Sequence, residues 1–276
     1  MLTDYHVHLR PDDPGTTAAN YFTAANAERY RESAEERGVK ELGVSEHVHR
    51  FTAALDVWEH PFWRKNAVDD LDRYVEFVRE ETDLRLGIEA DYIRGTEDKM
   101  ANLLDRHDWD YVIGSVHFLG EHAVDIDDQT DVWRHEASAE RVWARYFEAL
   151  AQSALTGMYD IIAHPDLVKI WGSARPAPSR DPQFYYEPAI EAMLEAGVAM
   201  EVSTAGLRKP VGEIYPARAM LEMAVDAGVP IALSSDAHTP EHLAFGYEQA
   251  LELLGDCGVR QIAVFEKRRR RMEPLG

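Results

Sequence analysis

Short apolar runs alternate with longer amphipathic segments along most of the sequence, and this alternation limits the possible folds more than any other feature. Most of the runs are rich in Val, Ile and Leu and are bounded by Gly, Asp or Pro, as buried parallel strands are. The predicted strands cover residues 3–9, 41–45, 84–92, 111–118, 159–164, 199–204 and 230–235. The segments between them predict helices over residues 17–37, 68–82, 96–106, 137–156, 184–197 and 215–228.

Periodicity and helix-ending glycines support the helical assignments. The stripe at helical spacing within residues 68–82 consists of Val68, Leu71, Val75 and Val78. The glycines that follow a predicted helix, as C-terminal caps do, are Gly38, Gly157, Gly197 and Gly228. Repeated strand–helix units predict an α/β fold with a parallel sheet, in one domain spanning residues 1–276. A closed or nearly closed barrel is favoured over an open doubly wound sheet, and no Gly-x-Gly-x-x-Gly motif follows the first strand.

Charge and cysteine content restrict the partners and the compartment. The sequence has 29 Lys and Arg against 50 Asp and Glu, which gives a net charge of −21 and disfavours nucleic-acid binding. The single cysteine, Cys257, cannot form an internal disulfide, as is usual in a reducing compartment. We find neither a basic, apolar leader nor an apolar run of membrane-spanning length. We therefore expect a cytoplasmic protein, and we interpret the basic residues 268–276 as a solvated tail.

Residue types that ligate metals recur where the predicted strands end. Six of the seven strands carry such a residue near the end, and they are His6 and His8, His47, Glu89, His117, His164, and Asp236 with His238. In a barrel these ends converge on one rim, which is where such enzymes place the active site. Because strand side chains alternate, His6 and His8 point to the same face. The sequence therefore predicts a cluster for more than one divalent metal, such as Zn, Mn or Fe.

For the other histidines and carboxylates we consider surface, supporting and turn roles. The histidines that we expect at the surface or behind the ligands are His49, His60, His107, His122, His135 and His242. Glu46 and Asp91 stand beside stronger candidates, and we interpret them as solvated or supporting carboxylates. The loop Pro-Asp-Asp-Pro after His8 is typical of a turn, but one of its carboxylates is a further candidate ligand, with Asp13 slightly favoured over Asp12.

The order of these motifs resembles that of the PHP (polymerase and histidinol phosphatase) superfamily, over residues 4 to 250. The matching segments are His6-Val7-His8, Ser45-Glu46-His47, Gly87-Ile88-Glu89, Gly114-Ser115-Val116-His117, Ala163-His164-Pro165-Asp166 and Ser235-Asp236-Ala237-His238. The segments 201–210 and 213–216 are similar to a stretch of the histidinol-phosphatase branch. This resemblance implies a distorted (β/α)7 TIM-like barrel.

The resemblance also implies a trinuclear metal site. One ion would be held by His6, His8, Glu89 and Asp236, and Glu89 would bridge to a second ion held by His117 and His164. A third ion would be held by His47 and His238 with a loop ligand. Where many relatives have that ligand this sequence has Pro14, and Asp13 is the nearest substitute.

The resemblance implies that such a metal site hydrolyses a phosphate monoester. Bridged divalent ions lower the pKa of a bound water, so that hydroxide attacks phosphorus near neutral pH. We expect catalytic roles for Glu89, Asp236 and His238. The cations that we expect to bind the phosphate are Arg208, Lys169 and Lys209.

The resemblance implies L-histidinol phosphate as the substrate and a place in histidine biosynthesis. The alternatives are another small phosphate or nucleotide, an amidohydrolase-type reaction, and a non-catalytic binding module. We expect two or three divalent ions, no nucleic-acid or membrane partner, and a monomer or small homo-oligomer. The aromatic residues of the stretch 49–66 could cover the rim as a lid, form a subunit contact, or belong to the local core.

Overall fold

A computed structural model describes residues 1–13, 15–136 and 138–275 of the chain. Its strands are β1 (Thr3–Asp4), β2 (Glu41–His47), β3 (Arg85–Asp91), β4 (Tyr111–Ser115), β5 (Phe118–Leu119), β6 (His122–Ala123), β7 (Ile161–Ile162), β8 (Ala199–Ser203), β9 (Ile231–Ser234), β10 (Gln261–Glu266) and β11 (Arg269–Pro274). Seven of them form one parallel sheet in the order β1-β2-β3-β4-β7-β8-β9. All seven predicted strands are therefore confirmed, although β1 and β7 are shorter than predicted.

The first and last strands of the sheet approach each other and nearly close it into a barrel. Val7 and Ala237 form an isolated parallel bridge beyond the ends of β1 and β9. The His8 N–H donates to the Ala237 carbonyl at 2.7 Å, and the Ala237 N–H donates to the His6 carbonyl at 3.1 Å. This closure confirms the predicted seven-stranded barrel over the open sheet, and it brings residues 6–8 against residues 236–238.

Helices cover the outside of the sheet. They are α1 (Ala18–Tyr21), α2 (Ala24–Glu36), α3 (Pro61–Asn66), α4 (Leu71–Glu81), α5 (Glu97–Leu104), α6 (Val132–His135), α7 (Ala139–Leu155), α8 (Gln183–Ala196), α9 (Arg218–Ala227) and α10 (Tyr247–Asp256). In α4, the Asp70 side chain caps the first turn, and Leu71 and Val78 are buried against the sheet. Val68 lies before this helix and is 53% exposed, so its place in the predicted stripe was wrong.

The interior of the barrel is filled by aromatic rings at the end opposite to the strand C-termini. The Tyr5 and Tyr111 rings pack 4.8 Å apart, and Phe265 of β10 packs edge-on against Tyr5. Gly43 and Gly87 leave room for Tyr111, since a Cβ on either would clash with the Tyr111 side chain. The C-terminal hairpin of β10 and β11 thus contributes to the barrel floor.

Several boundaries differ from the sequence predictions. The predicted helix 17–37 is two helices, because the backbone of Phe22 and Thr23 leaves the helical region and Thr23 caps α2. The predicted solvated tail was wrong for Arg269–Pro274, which pairs along β10, although most of its side chains are exposed. The predicted strands and helices did not include α10 and the hairpin. Positions 14, 137 and 276, which fall in the predicted loop, helix and tail, lie outside the described residues.

The aromatic stretch 49–66 divides between core and site. Phe51 and Trp63 are fully buried in the main core, which supports the expectation of local core for these two rings. Phe62 instead lines the cavity above the strand ends. Over the part of the chain that is described, no helix combines the length and the apolar character that a membrane span requires.

Candidate metal centre and phosphate site

Glu89 lies at the middle of the strand-end cluster, because it faces inward on β3 with Gly87 and Asp91. Its Oε1 is 3.3 Å from His164 Nε2 and 3.5 Å from His117 Nε2. Its Oε2 is 3.4 Å from His6 Nε2 and 3.7 Å from His8 Nε2. The two oxygens therefore face two different sets of imidazoles, which is the arrangement of a carboxylate that bridges two ions.

A third group forms on the other side of His8. His8, His47 and His238 bring one ligand atom each within 4.8 Å of one another. His238 Nε2 is 2.8 Å from Asp12 Oδ2, and His47 Nε2 is 3.9 Å from Asp12 Oδ1. The loop carboxylate at this group is therefore Asp12, and the preference for Asp13 was wrong. Asp13 is exposed at the rim, and no contact joins its side chain to the described histidines.

The donor atoms fit a bound divalent cation. His6 Nε2, His8 Nε2 and Asp236 Oδ1 are buried, and among the described residues they have no hydrogen-bond partner. His6 Nε2 and His8 Nε2 are 3.7 and 3.4 Å from Asp236 Oδ1. Two ligands bound at metal–ligand distances near 2.1 Å and tetrahedral angles are about 3.4 Å apart. Buried polar atoms without partners are rare, and a shared cation would satisfy all three.

Two carboxylates behind the ligands orient them. The Nδ1–H of His6 donates to Glu201 Oε1 at 2.8 Å, and the Nδ1–H of His117 donates to Asp91 Oδ1 at 2.7 Å. Each imidazole therefore presents Nε2 to the centre, as metal ligands held by carboxylates do. Asp91, predicted to be a solvated or supporting carboxylate, is buried and accepts from His117. Glu201 was missed, although a carboxylate in the middle of the apolar run 199–203 was a usable signal.

Charge is balanced inside this buried cluster. Burial raises the pKa of Glu89, but the imidazoles around it, His47 first, outweigh burial and hold that pKa well below its usual range. Burial lowers the pKa of His6, but the carboxylates of Glu201, Asp236 and Glu89 raise it well above its usual value. The carboxylates and imidazoles of the cluster therefore stabilise each other's charged forms.

The backbone is unusual at two of the candidate ligands. His164 has a φ of +23° and Asp236 a φ of +52°, in the left-handed region that most side chains avoid. Such conformations persist where the surrounding structure imposes them, and they cluster at functional sites. Here the His164 N–H donates to Glu201, and residues 235–237 pair with the first strand.

The three side chains predicted to bind phosphate lie in different surroundings. Arg208 donates from one guanidinium nitrogen to the carbonyls of Ser235 and Asp236 at 2.8 Å, and its Nη1 is buried with no hydrogen-bond partner among the described residues. Lys209 lines the cavity above the centre. Lys169 does not reach it, because its ammonium pairs with Asp166 at 3.0 Å and Glu213 at 3.1 Å beside a neighbouring cavity.

The cavity above the centre has a volume of about 560 Å³. Its lining includes His47, His117, Asp12, Asp125, Lys65, Lys209, Phe62 and Phe118. Across the described ranges, the groups of candidate ligands include none of His49, His60, His107, His122, His135 and His242. Arg50, which sequence reasoning missed, is buried and pairs with Glu46 and Asp12.

Comparisons with known proteins place the chain among enzymes of one kind. The model of the PHP domain family matches residues 18–205. The probable histidinol-phosphatase of Deinococcus radiodurans is 32% identical, over 99% of this chain and 99% of its own. The histidinol-phosphatase of Bacillus subtilis is 28% identical, over 81% of this chain and 91% of its own.

A solved structure supports the fold. A histidinol phosphate phosphatase from Lactococcus lactis, crystallised with zinc, L-histidinol and phosphate, superposes with a TM-score of 0.73. The superposition covers 98% of both chains at 18% identity.

Proposed function

Because this chain belongs to the PHP domain family, we propose that it is a metal-dependent phosphatase that converts L-histidinol phosphate to L-histidinol and phosphate in histidine biosynthesis. The observation that carries the proposal is Glu89, whose Oε1 faces two imidazoles at 3.3 and 3.5 Å and whose Oε2 faces two others at 3.4 and 3.7 Å and also pairs with His47. The divalent ions that such a site would hold would supply the positive charge that a phosphate dianion needs. The relatives that match this chain along its length carry the name of this enzyme.

The residues present support two or three divalent ions. His6, His8 and Asp236 would hold one, and His117 and His164 would hold another, with Glu89 between them. A third group would consist of His8 or His47 with His238 and Asp12. Bound divalent ions lower the pKa of water and stabilise charge on a phosphoryl group. Imidazole and carboxylate ligands accept Zn, Mn and Fe, so metal identity is for the experiment to decide.

The protein itself would bind and orient the substrate. Arg208 is held by two carbonyls beside Asp236, and its free Nη1 can donate to a phosphate oxygen. Lys209 adds a second cation at the mouth. Asp12 Oδ2 lies 2.8 Å from His238 Nε2, so without a third ion His238 would hold a proton on this side of the site, and with one the two side chains would be ligands.

The test is phosphate release from L-histidinol phosphate, compared with nucleotides, phosphotyrosine and sugar phosphates. The protein is stripped of metal and reloaded separately with Mn, Zn and Fe. We expect L-histidinol phosphate to give the highest kcat/KM, and we expect Glu89→Gln to abolish turnover. Asp160→Asn, at the opposite end of the barrel, is the matched control and should retain activity. Preference for another monoester would contradict the substrate, and no hydrolysis despite bound metal would contradict the whole proposal.

A further inference from the structure

The carboxylates around the site are almost all committed to partners, and the exception indicates how the substrate is recognised. L-histidinol phosphate carries an ammonium group on the carbon next to its ester carbon. The proposed enzyme therefore needs an anion beside the phosphate position. This inference rests on the proposed function and concerns the specificity of the same site.

Four carboxylates at or beside the site are already paired. Asp91 accepts from His117 at 2.7 Å, and Glu46 pairs with the buried Arg50. Glu213 pairs with Lys169 at 3.1 Å, beside the neighbouring cavity. Asp12 lies against His238 and also pairs with Arg50. None of these four offers a free anion to an incoming cation.

Asp125 is different. It lines the cavity above the metal centre, and its Oδ1 is buried. Within residues 1–13, 15–136 and 138–275, no hydrogen bond or ion pair engages its carboxylate. A buried carboxylate oxygen without a partner is costly, and a cationic group of the substrate would satisfy it.

The backbone next to Asp125 is fixed beside the metal centre. The Val124 N–H donates to the His117 carbonyl at 2.8 Å, and the Trp171 Nε1–H donates to the Val124 carbonyl at 2.9 Å. His117 lines the same cavity as Asp125, so the Asp125 carboxylate faces the space above the candidate ligands.

The walls of the cavity suit the rest of such a substrate. Phe62 and Phe118 form an aromatic wall with ring centroids 5.7 Å apart, and Ile126 follows Asp125 in the lining. The Lys65 and Lys209 side chains supply positive charge elsewhere in the same cavity. A phosphate, an ammonium group and an aromatic ring can therefore each find a complementary surface.

We infer that Asp125 is a specificity-determining residue that binds the ammonium group of an amino-alcohol phosphate. Asp13 also lines the cavity, but it lies exposed on the rim, where water screens its charge. Asp125 contacts no reacting atom in this assignment, so its loss will weaken recognition of the amine and leave metal binding intact.

The test compares Asp125→Asn with the wild type on two substrates, each with the metal-loaded protein. One is L-histidinol phosphate, and the other is 3-(imidazol-4-yl)propyl phosphate, which lacks only the amine. We expect the variant to lose about 10- to 100-fold in kcat/KM on the first substrate and little on the second. Calorimetric binding of L-histidinol should weaken by a similar factor. Glu121→Gln, which removes an exposed charge from the turn between β5 and β6, shortly before Asp125, is the control and should behave as the wild type.

The outcomes separate this inference from the proposed function. Equal losses on both substrates, an unchanged preference for the amine, or a wild type that does not distinguish the two substrates would each overturn the role of Asp125. Failure of the wild type to hydrolyse either substrate would contradict the proposed function. In that case the calorimetric binding of L-histidinol tests the role of Asp125 by itself. If the wild type and Asp125→Asn bind L-histidinol equally, or neither binds it, the inference is overturned.

Discussion

Glu201 accepts the Nδ1–H of His6 at 2.8 Å, and the opposite nitrogen of that ring faces Glu89 and Asp236. The same carboxylate accepts the backbone N–H of His164 at 2.6 Å and the hydroxyl of Ser234. One residue behind the ligands therefore orients an imidazole and fixes the unusual backbone of another candidate ligand.

Replacing this carboxylate should loosen the metal centre. In Glu201→Gln the amide nitrogen would face a donor, so at least one of the three hydrogen bonds is lost. We expect affinity for divalent ions to fall by about 10- to 100-fold, as for other carboxylates behind ligands. Competition with a chromophoric chelator measures this affinity. Asp160→Asn removes a carboxylate that pairs with Arg268 at the barrel floor and should leave metal affinity unchanged. Equal affinities in all three proteins would refute the role of Glu201.

The two loop aspartates should be separable by metal content. Asp12→Asn removes the carboxylate that lies 2.8 Å from His238, so we expect the weakest-bound ion to be lost and kcat to fall. Asp13→Asn changes an exposed neighbour and serves as the matched control. Metal analysis after gel filtration counts the ions in each protein. A loss in Asp13→Asn with retention in Asp12→Asn would reverse the assignment.

Arg208 should act through substrate binding. Its guanidinium is preorganised by the carbonyls of Ser235 and Asp236, which leaves Nη1 for the phosphate. Arg208→Lys keeps the charge but cannot make both sets of contacts, so we expect kcat/KM to fall by about 10- to 100-fold, with a higher KM. Steady-state kinetics measure this split. Lys209→Gln tests the second cation. A larger loss of kcat/KM in Lys209→Gln than in Arg208→Lys would contradict the assignment of Arg208 as the main phosphate-binding cation.

Metal binding should release protons at neutral pH. Carboxylates raise the pKa of His6 and His238 above the usual value, and they raise that of His117 to about 10. These shifts favour the protonated form of each ring when no ion is bound, whereas a ligand must be neutral. Affinity should accordingly rise with pH. Calorimetry in buffers of different ionisation enthalpy counts the protons. A binding enthalpy that does not depend on the buffer would contradict this prediction.

The C-terminal hairpin should matter for stability. Phe265 is 2% exposed and packs against Tyr5 in the barrel floor. We expect Phe265→Ala to lower the free energy of unfolding by about 3–5 kcal/mol, as truncation of a buried Phe does. Met272 on β11 is 38% exposed, and Met272→Ala is the control. Urea denaturation measures both, and equal small effects would show that the hairpin is not part of the core.

Local sequence was sufficient for the elements that carry the site. The runs before Glu89 and His117 are predicted as buried strands because they are short and mostly apolar, and both residues lie near the ends of strands on one rim. Boundaries failed where a local choice depended on distant contacts. Thr23 ends one helix and caps the next, and the basic run after residue 266 is a strand because β10 supplies its hydrogen bonds.

The sequence by itself determined which residue types stand at the ends of the strands, because period-two alternation and apolar runs are encoded locally. Only the tertiary structure decided which of them meet. Asp12 reaches His238 where Asp13 does not, and Lys169 turns to Asp166 and Glu213. Glu201 reaches His6 across 195 residues. Such pairings depend on barrel closure and on competition among buried charges, and neither is encoded in the spacing of residues along the chain.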